Sequence, residues 1–157
     1  TTDVYNINFQ TERSLRIKIE VDTNPPLSFA TEQRLMVQPY SFMVQCMTLP
    51  CLFAGKMHAL VYRQWKNRVK GRDWYDFEWY VRWNHPLNWA HLHERIVEFS
   101  GKECTKAEFL ELLHHRLATT DINQVKADVL PFVHHPQELD IWSNDYFLQL
   151  AQRIRWE

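Results

Sequence analysis

The apolar residues of this chain change their spacing near residue 48, and this change constrains the fold more than any other feature. In residues 15–21 apolar and charged side chains alternate, the period-two pattern of a strand with one buried face. A weaker alternation in residues 4–9 predicts a first strand, paired with the second as an antiparallel hairpin. The segment Asn24-Pro25-Pro26 ends the second strand, and residues 41–47 are predicted to form a third.

After residue 48 the apolar spacing becomes three and four, which predicts helices. Pro50 suits the first turn of a helix that ends before Gly71. Further helices are predicted at 72–82, 86–99, 105–117, 121–130 and 143–155, with Thr105 and Glu108 forming a capping box and Gly101 stopping the third helix. The predicted fold class is α+β, with a small antiparallel sheet in residues 1–48 and about six helices in residues 49–157 packed as one unit.

Composition excludes several classes of protein. The net charge is −1, so any affinity for nucleic acid must come from a local patch. The three cysteines show no paired spacing, which favours free thiols in a cytoplasmic protein. No apolar run in these residues is long enough for a membrane span, and no signal-peptide pattern is visible in them.

The charged face of the second predicted strand carries Lys18, Glu20 and Asp22. Two carboxylates two residues apart on a strand lie on the same face and could share a Mg²⁺ ion, which prefers oxygen ligands. A solvated outer strand face explains the same pattern, because charged residues are common there.

A second candidate site lies in the helices. Lys56 interrupts an apolar stretch, and Arg63 follows two turns later on the same face, so both could reach a phosphate group. Basic residues continue through the next loop to Arg72, in an otherwise neutral protein. A solvated lysine and a solvated loop are the alternatives, and Asp73 and Asp76 would stabilise the start of a helix in any case.

These stretches together resemble the AbiEii/AbiGii family of nucleotidyltransferases, toxins of abortive-infection and toxin–antitoxin systems. The resemblance covers residues 14–83 and rests on three blocks. They are Lys18-Ile19-Glu20-Val21-Asp22, Lys56-Met57-His58-Ala59-Leu60 with Arg63, and Arg72-Asp73-Trp74-Tyr75-Asp76. The second and third blocks are specific, and the acidic strand is not.

The resemblance implies a polymerase β-type enzyme that transfers a nucleotide from a nucleoside triphosphate to RNA, including tRNA, or to protein. By position, Glu20 would be the third metal-binding acid and Lys56 would contact the triphosphate. Asp73 would orient Lys56 or a substrate hydroxyl. The remaining assignments are Mg²⁺ binding by Glu20 with Asp22, and substrate binding by Arg63, Arg72, Lys18 and Asp76. A cognate antitoxin is the implied protein partner.

This chain departs from the family pattern, because the Gly-Ser turn and the Asp-x-Asp metal motif are absent. No glycine precedes Gly55. We therefore expect the chain to be an incomplete nucleotidyltransferase that is inactive alone, with an unpaired sheet edge through which it could form a homodimer. The alternative is a non-catalytic module that binds nucleotide, RNA or protein.

Overall fold

The computed structural model describes residues 7–8, 14–15, 17–63 and 69–157. Four short strands precede the helices: β1 (Ile7–Asn8), β2 (Ser14–Leu15), β3 (Thr31–Met36) and β4 (Phe42–Met47). The helices are α1 (Leu49–Tyr62), α2 (Gly71–Arg82), α3 (Trp89–Ser100), α4 (Lys106–Thr119), α5 (Ile122–Val129) and α6 (Asn144–Ala151). Two further strands, β5 (Pro86–Leu87) and β6 (Arg155–Trp156), and the 3₁₀ turns Leu130–Phe132 and Pro136–Leu139 complete the described elements. The predicted α+β class, a small antiparallel sheet followed by six helices, is confirmed.

The N-terminal hairpin is present but short. Strands β1 and β2 pair antiparallel, with Ile7 opposite Leu15, as predicted. The predicted continuation of β2 through Val21 is wrong, because residues 17–22 have no regular secondary structure and are exposed. Ile17 is 50% exposed and Val21 is 79% exposed, so the described part of the structure buries neither side chain. The alternating pattern therefore forms no half-buried strand here. The rest of the first predicted strand lies outside the described residues.

Strands β3 and β4 form a second antiparallel hairpin, in which Thr31 faces Met47 and Met36 faces Phe42. The strand predicted at residues 41–47 is confirmed, whereas its partner β3 was not predicted, because residues 31–36 show no clear alternation. In the described part of the chain no third strand pairs with this hairpin. Its exposed apolar side chains include Leu35 and Met43. Homodimerisation through a sheet edge stays a prediction.

The helix boundaries follow local signals in the sequence. Pro50 lies in the first turn of α1, and the Thr105–Glu108 capping box begins α4. Asp121 caps α5 and Ser143 caps α6 through side-chain hydrogen bonds. Gly101 ends α3 with a φ of 68°, a left-handed conformation that glycine adopts without steric cost.

Helices α3 and α6 are shorter than predicted, because residues at one end of each predicted helix form a pair of strands instead. Residues 86–87 form β5, which pairs in parallel with β6 at residues 155–156. The Leu87 carbonyl accepts a hydrogen bond from the Glu157 backbone N–H, and the Trp89 N–H donates to the Glu157 carbonyl. Helix α3 therefore begins at Trp89, and α6 ends at Ala151. No sequence pattern within either segment indicates a pairing between residues about 70 positions apart.

The core lies among the helices. Its largest fully buried side chains include Phe53, Phe77, Phe109 and Phe147, and Trp74 is 2% exposed. The carboxylate of Glu78 accepts hydrogen bonds from the Trp142 indole at 3.0 Å and the Tyr146 hydroxyl at 2.5 Å, so this buried acid has partners. All three cysteines are free. Among the described helices, none combines the length and the apolar character that a membrane crossing requires.

Candidate functional site

Helices α1 and α2 carry the two specific sequence blocks, and two ion pairs join them. The Lys56 ammonium lies 2.6 Å from Oδ2 of Asp76, and the Arg63 guanidinium lies 3.3 Å from Oδ2 of Asp73. Arg63, which follows the last residue of α1, meets Asp73 in the first turn of α2, whereas the earlier Lys56 meets the later Asp76. The helices therefore run antiparallel. The structure thus brings together four of the residues singled out in the sequence.

Asp73 does not contact Lys56 in an ion pair, because Lys56 pairs with Asp76, one turn further along α2, and Asp73 pairs with Arg63. The expectation that Asp73 orients Lys56 or a substrate hydroxyl stays a prediction. The spacing of the motif allows either acid to face α1, since residues three apart share a helix face. The position of α2 along the axis of α1 decides that Asp76 is the partner of Lys56.

Asp73 is the buried acid of the site, at 5% exposure. Burial raises its pKa above the usual value, while the charges of Arg63, Lys70 and Lys56 act in the opposite direction. Burial therefore disfavours the charged carboxylate despite the three surrounding cations, an arrangement more common at functional sites than on ordinary surfaces.

A cavity of about 310 Å³ opens beside Lys56, here called the Lys56 cleft. Its lining consists of Lys56, Lys70, Arg72, Asp73, Tyr75, Asp76, Val129, Phe132 and Val133. Three cations meet two carboxylates there, so the lining carries a net positive charge. The pKa of Lys70 is lowered by partial burial and then by three neighbouring cations, of which Arg63 has the largest effect. A phosphate group would offset this crowding of positive charge.

A second cavity of about 240 Å³ lies on the other side of the Arg63–Asp73 pair. Lys70 and Asp73 line both cavities, and Arg63 and Arg116 line this one. The Arg116 guanidinium also donates to the carbonyls of Val61 and Arg63, at 2.9 and 3.2 Å, which are at the end of α1. Arg116 thus holds the α1 terminus in position.

Gly71 sets the distance between α2 and α5. A Cβ at this position would overlap the carbonyl oxygen of Val125 and lie 3.0 Å from the backbone N of Val129. The Gly71 N–H donates to the Asp128 carboxylate at 2.9 Å. This close approach brings Val129 and the 3₁₀ turn Leu130–Phe132 to the rim of the Lys56 cleft.

The predicted acidic strand is not part of this cleft. Lys18 and Glu20 form an ion pair with each other on an exposed segment, and the hydrogen bond from Lys18 is the main cause of a lowered Glu20 pKa. Asp22 accepts a hydrogen bond from the Asn24 backbone at 3.0 Å and lines a different groove, with His58 and Arg95. Neither acid lines the Lys56 cleft.

The described residues do not fit a magnesium site. Glu20 is occupied by Lys18, and Asp22 faces a groove that contains an arginine. Within residues 17–63 and 69–157, no three His, Cys, Asp or Glu side chains cluster closely enough to hold a metal ion. Mg²⁺ prefers near-octahedral coordination by several oxygens, which this arrangement does not offer.

Several residues that line the two cavities could not be recognised from the sequence. In the Lys56 cleft these are Phe132 and Val133, which follow Pro131 in a stretch without periodicity and reach the cleft through the packing of α5 on Gly71. In the second cavity it is Arg116, which lies on the C-terminal part of α4. Lys70 could be recognised from the sequence, since it belongs to the basic residues that extend from Arg63 to Arg72. The other basic residues of that run, Lys66 and Arg68, lie outside the described residues.

The sequence model of the family described as "Nucleotidyl transferase AbiEii toxin, Type IV TA system" matches residues 2–150. The chain belongs to this family. The match extends well beyond residues 14–83, so the AbiEii relationship includes α3 to α6. No curated protein and no solved structure matches the chain.

Proposed function

We propose that this AbiEii chain binds the triphosphate of a nucleoside triphosphate in the Lys56 cleft, as the helical part of a toxin-type nucleotidyltransferase. The observation that carries the proposal is the convergence of Lys56, Lys70 and Arg72 on one cavity. The acceptor would be RNA, tRNA included, or protein, and the protein would act in the cytoplasm with a cognate antitoxin. Membership of a toxin–antitoxin family supports these assignments.

Lys56 can serve a phosphate group while it stays paired. Its ammonium has three donors, of which Asp76 uses one, and its side chain is 45% exposed. Asp76 therefore positions the ammonium at the cleft without burying it. Asp73 holds Arg63 in the same way, on the side of the second cavity.

The chain alone would bind nucleotide and transfer it poorly. In the polymerase β-type reaction the acids hold Mg²⁺ on the triphosphate, and this ion neutralises the charge that develops during transfer. We propose that Mg²⁺ enters with the nucleotide. The residues that line the Lys56 cleft would not be its protein ligands. Glu20 and Asp22 would need to leave their present partners to contribute.

A non-catalytic nucleotide-binding module is the second candidate. The observation that favours it is the ion pair between Lys18 and Glu20, which leaves the predicted third acid away from Lys56. The two candidates share the same binding cleft and differ only in turnover.

Isothermal titration calorimetry with ATP, GTP, CTP and UTP, with and without Mg²⁺, tests the shared part of the proposal. We expect binding to wild type and at least tenfold weaker binding to Lys56→Ala, because the loss of one phosphate contact by a charged donor costs about 1.5–3 kcal/mol. Lys102→Ala is the matched control, since this exposed lysine lies outside the cleft and should not change affinity.

Equal affinity in wild type and Lys56→Ala would contradict the cleft as the phosphate site. Transfer from radiolabelled nucleotide to RNA or protein then separates the two candidates. Measurable turnover by this chain supports an enzyme, and binding without turnover supports the module.

A further inference from the structure

The Lys56 cleft has an apolar side as well as a cationic one. Val129 and Val133 contribute aliphatic surface, and Tyr75 and Phe132 contribute aromatic rings. Tyr75 is 36% exposed and Phe132 is 65% exposed. A cavity that needed only to attract phosphate would not require these side chains.

Phe132 is exposed although its backbone position is fixed. It ends the 3₁₀ turn Leu130–Phe132, which follows α5 directly and contains no buried residue. The next residue, Val133, packs against the core, and the Arg72 guanidinium lies over the Phe132 ring at 5.4 Å from its centroid. The ring is therefore held at the cleft while most of its surface remains open to solvent, so core packing does not explain it.

We propose that Phe132, with Tyr75, binds the base of the nucleotide whose phosphates lie against Lys56, Lys70 and Arg72. This inference rests on the proposed function. Aromatic side chains stack on any base, because each base has a π-face. Arg72 would then connect the two parts of the site, with its charge directed to phosphate and its planar group against the Phe132 ring that binds the base.

The end of α5 and the following turn would then form a nucleotide-binding element. The ligand of the cleft would be a base linked to a polyphosphate and not polyphosphate alone. Purine nucleotides should bind more tightly than pyrimidine nucleotides, because their larger rings cover more of the aromatic surface.

The test compares ATP with inorganic tripolyphosphate on the full chain by calorimetry. We expect ATP to bind wild type roughly tenfold more tightly than tripolyphosphate does, and Phe132→Ala to remove most of that advantage. Tripolyphosphate affinity should not change in Phe132→Ala, and Phe132→Trp should restore ATP affinity. Leu130→Ala, from the same turn but outside the cleft, is the control for local disturbance.

Equal affinities of wild type for ATP and tripolyphosphate, or full ATP affinity in Phe132→Ala, would overturn the base site and leave the phosphate site intact. Absence of binding by both ligands would overturn the proposed function and this inference together. Circular dichroism and thermal unfolding of each variant establish that it folds, as expected for a substitution at an exposed side chain.

Discussion

The Lys56 ammonium lies 2.6 Å from the Asp76 carboxylate, and this pair joins the helices that carry the family's two specific motifs. The side chains are 45% and 32% exposed, so water screens the attraction. The neighbouring Arg63–Asp73 pair has a buried acid instead. The two pairs should therefore behave differently when they are broken.

The Lys56–Asp76 pair should contribute little to stability. We expect a coupling energy of about 0.2–1 kcal/mol in a double-mutant cycle of Lys56→Met and Asp76→Asn, measured by urea unfolding. The physical reason is the exposure of both groups. A coupling above about 2 kcal/mol would mean that the pair mainly holds the helices together and would weaken its assignment to phosphate binding.

Asp73→Asn should leave the protein about as stable as wild type, or more stable, at pH 7. The folded-state pKa of Asp73 is raised by burial, so its stabilising contribution is complete below the unfolded-state pKa and is lost as pH rises through the folded-state value. Loss of the Arg63 contact acts in the opposite direction. Because the Arg63 side chain is 39% exposed and can be solvated when the pair is lost, the free energy of unfolding at pH 7 should not fall by more than about 1 kcal/mol.

Urea unfolding of Asp73→Asn at pH 4 and pH 7 provides the measurement. Relative to wild type, the variant should be more stable at the higher pH than at the lower. The exposed Glu98→Gln serves as the control for removing a negative charge. A large loss of stability at pH 7 only would show that the charged form of Asp73 is needed by the fold.

Two glycines on the two motif helices should respond oppositely to alanine. Gly71→Ala places a Cβ against the α5 backbone, so we expect a loss of about 1–3 kcal/mol from overpacking. At Gly55 the nearest atom to an added Cβ is Cζ of Arg95, at 3.9 Å. Gly55→Ala should therefore gain up to about 1 kcal/mol through its better helix propensity. Thermal and urea unfolding of both variants check this, and equal effects would contradict the close packing at Gly71.

The His58 imidazole should make the protein sensitive to mild acid. Burial, and then the charges of Arg95 and Arg63, lower the pKa of His58 from 6.5 to about 4. Between these values the unfolded chain binds the proton more readily than the folded chain does. The free energy of unfolding should therefore fall as pH decreases from 6.5 to 4. Below pH 4 the protonation of His58 should cause no further decrease.

The matched variant for this pH effect is His58→Gln, which keeps a polar side chain of similar reach but does not titrate. Its unfolding free energy should vary less between pH 6.5 and 4 than that of wild type. Urea titration of both proteins at each pH measures the difference. Because His58 is partly exposed, the effect should be smaller than the full pKa shift implies. Identical pH profiles for the two proteins would contradict the lowered pKa.

The helices, and those of their ends that are capped by nearby groups, could be predicted from local sequence. Capping depends on groups within one turn, as in the contact between Thr105 and Glu108, and the stop at Gly101 needs only a residue that tolerates positive φ. The Lys56 and Arg72-Asp73 blocks were recognisable for the same reason, since each lies within a single helix. The family relationship followed from these blocks and is confirmed by the match over residues 2–150.

Strand formation in residues 15–21 could not be settled in this way. Alternation indicates which face a strand would bury, but burial needs a surface to pack against, and in the described structure Ile17 and Val21 remain exposed. The β5–β6 pairing also depends on a distant partner. Both outcomes depend on contacts far along the chain, which local patterns do not encode.

The sequence by itself determined the helices, the basic residues and the family. The tertiary structure decided which acid meets which base, because the offset between α1 and α2 pairs Lys56 with Asp76 and Arg63 with Asp73. It also decided the composition of the Lys56 cleft. Phe132 reaches the cleft only because Gly71 lets α5 approach α2, and such proximity between distant segments arises from packing alone.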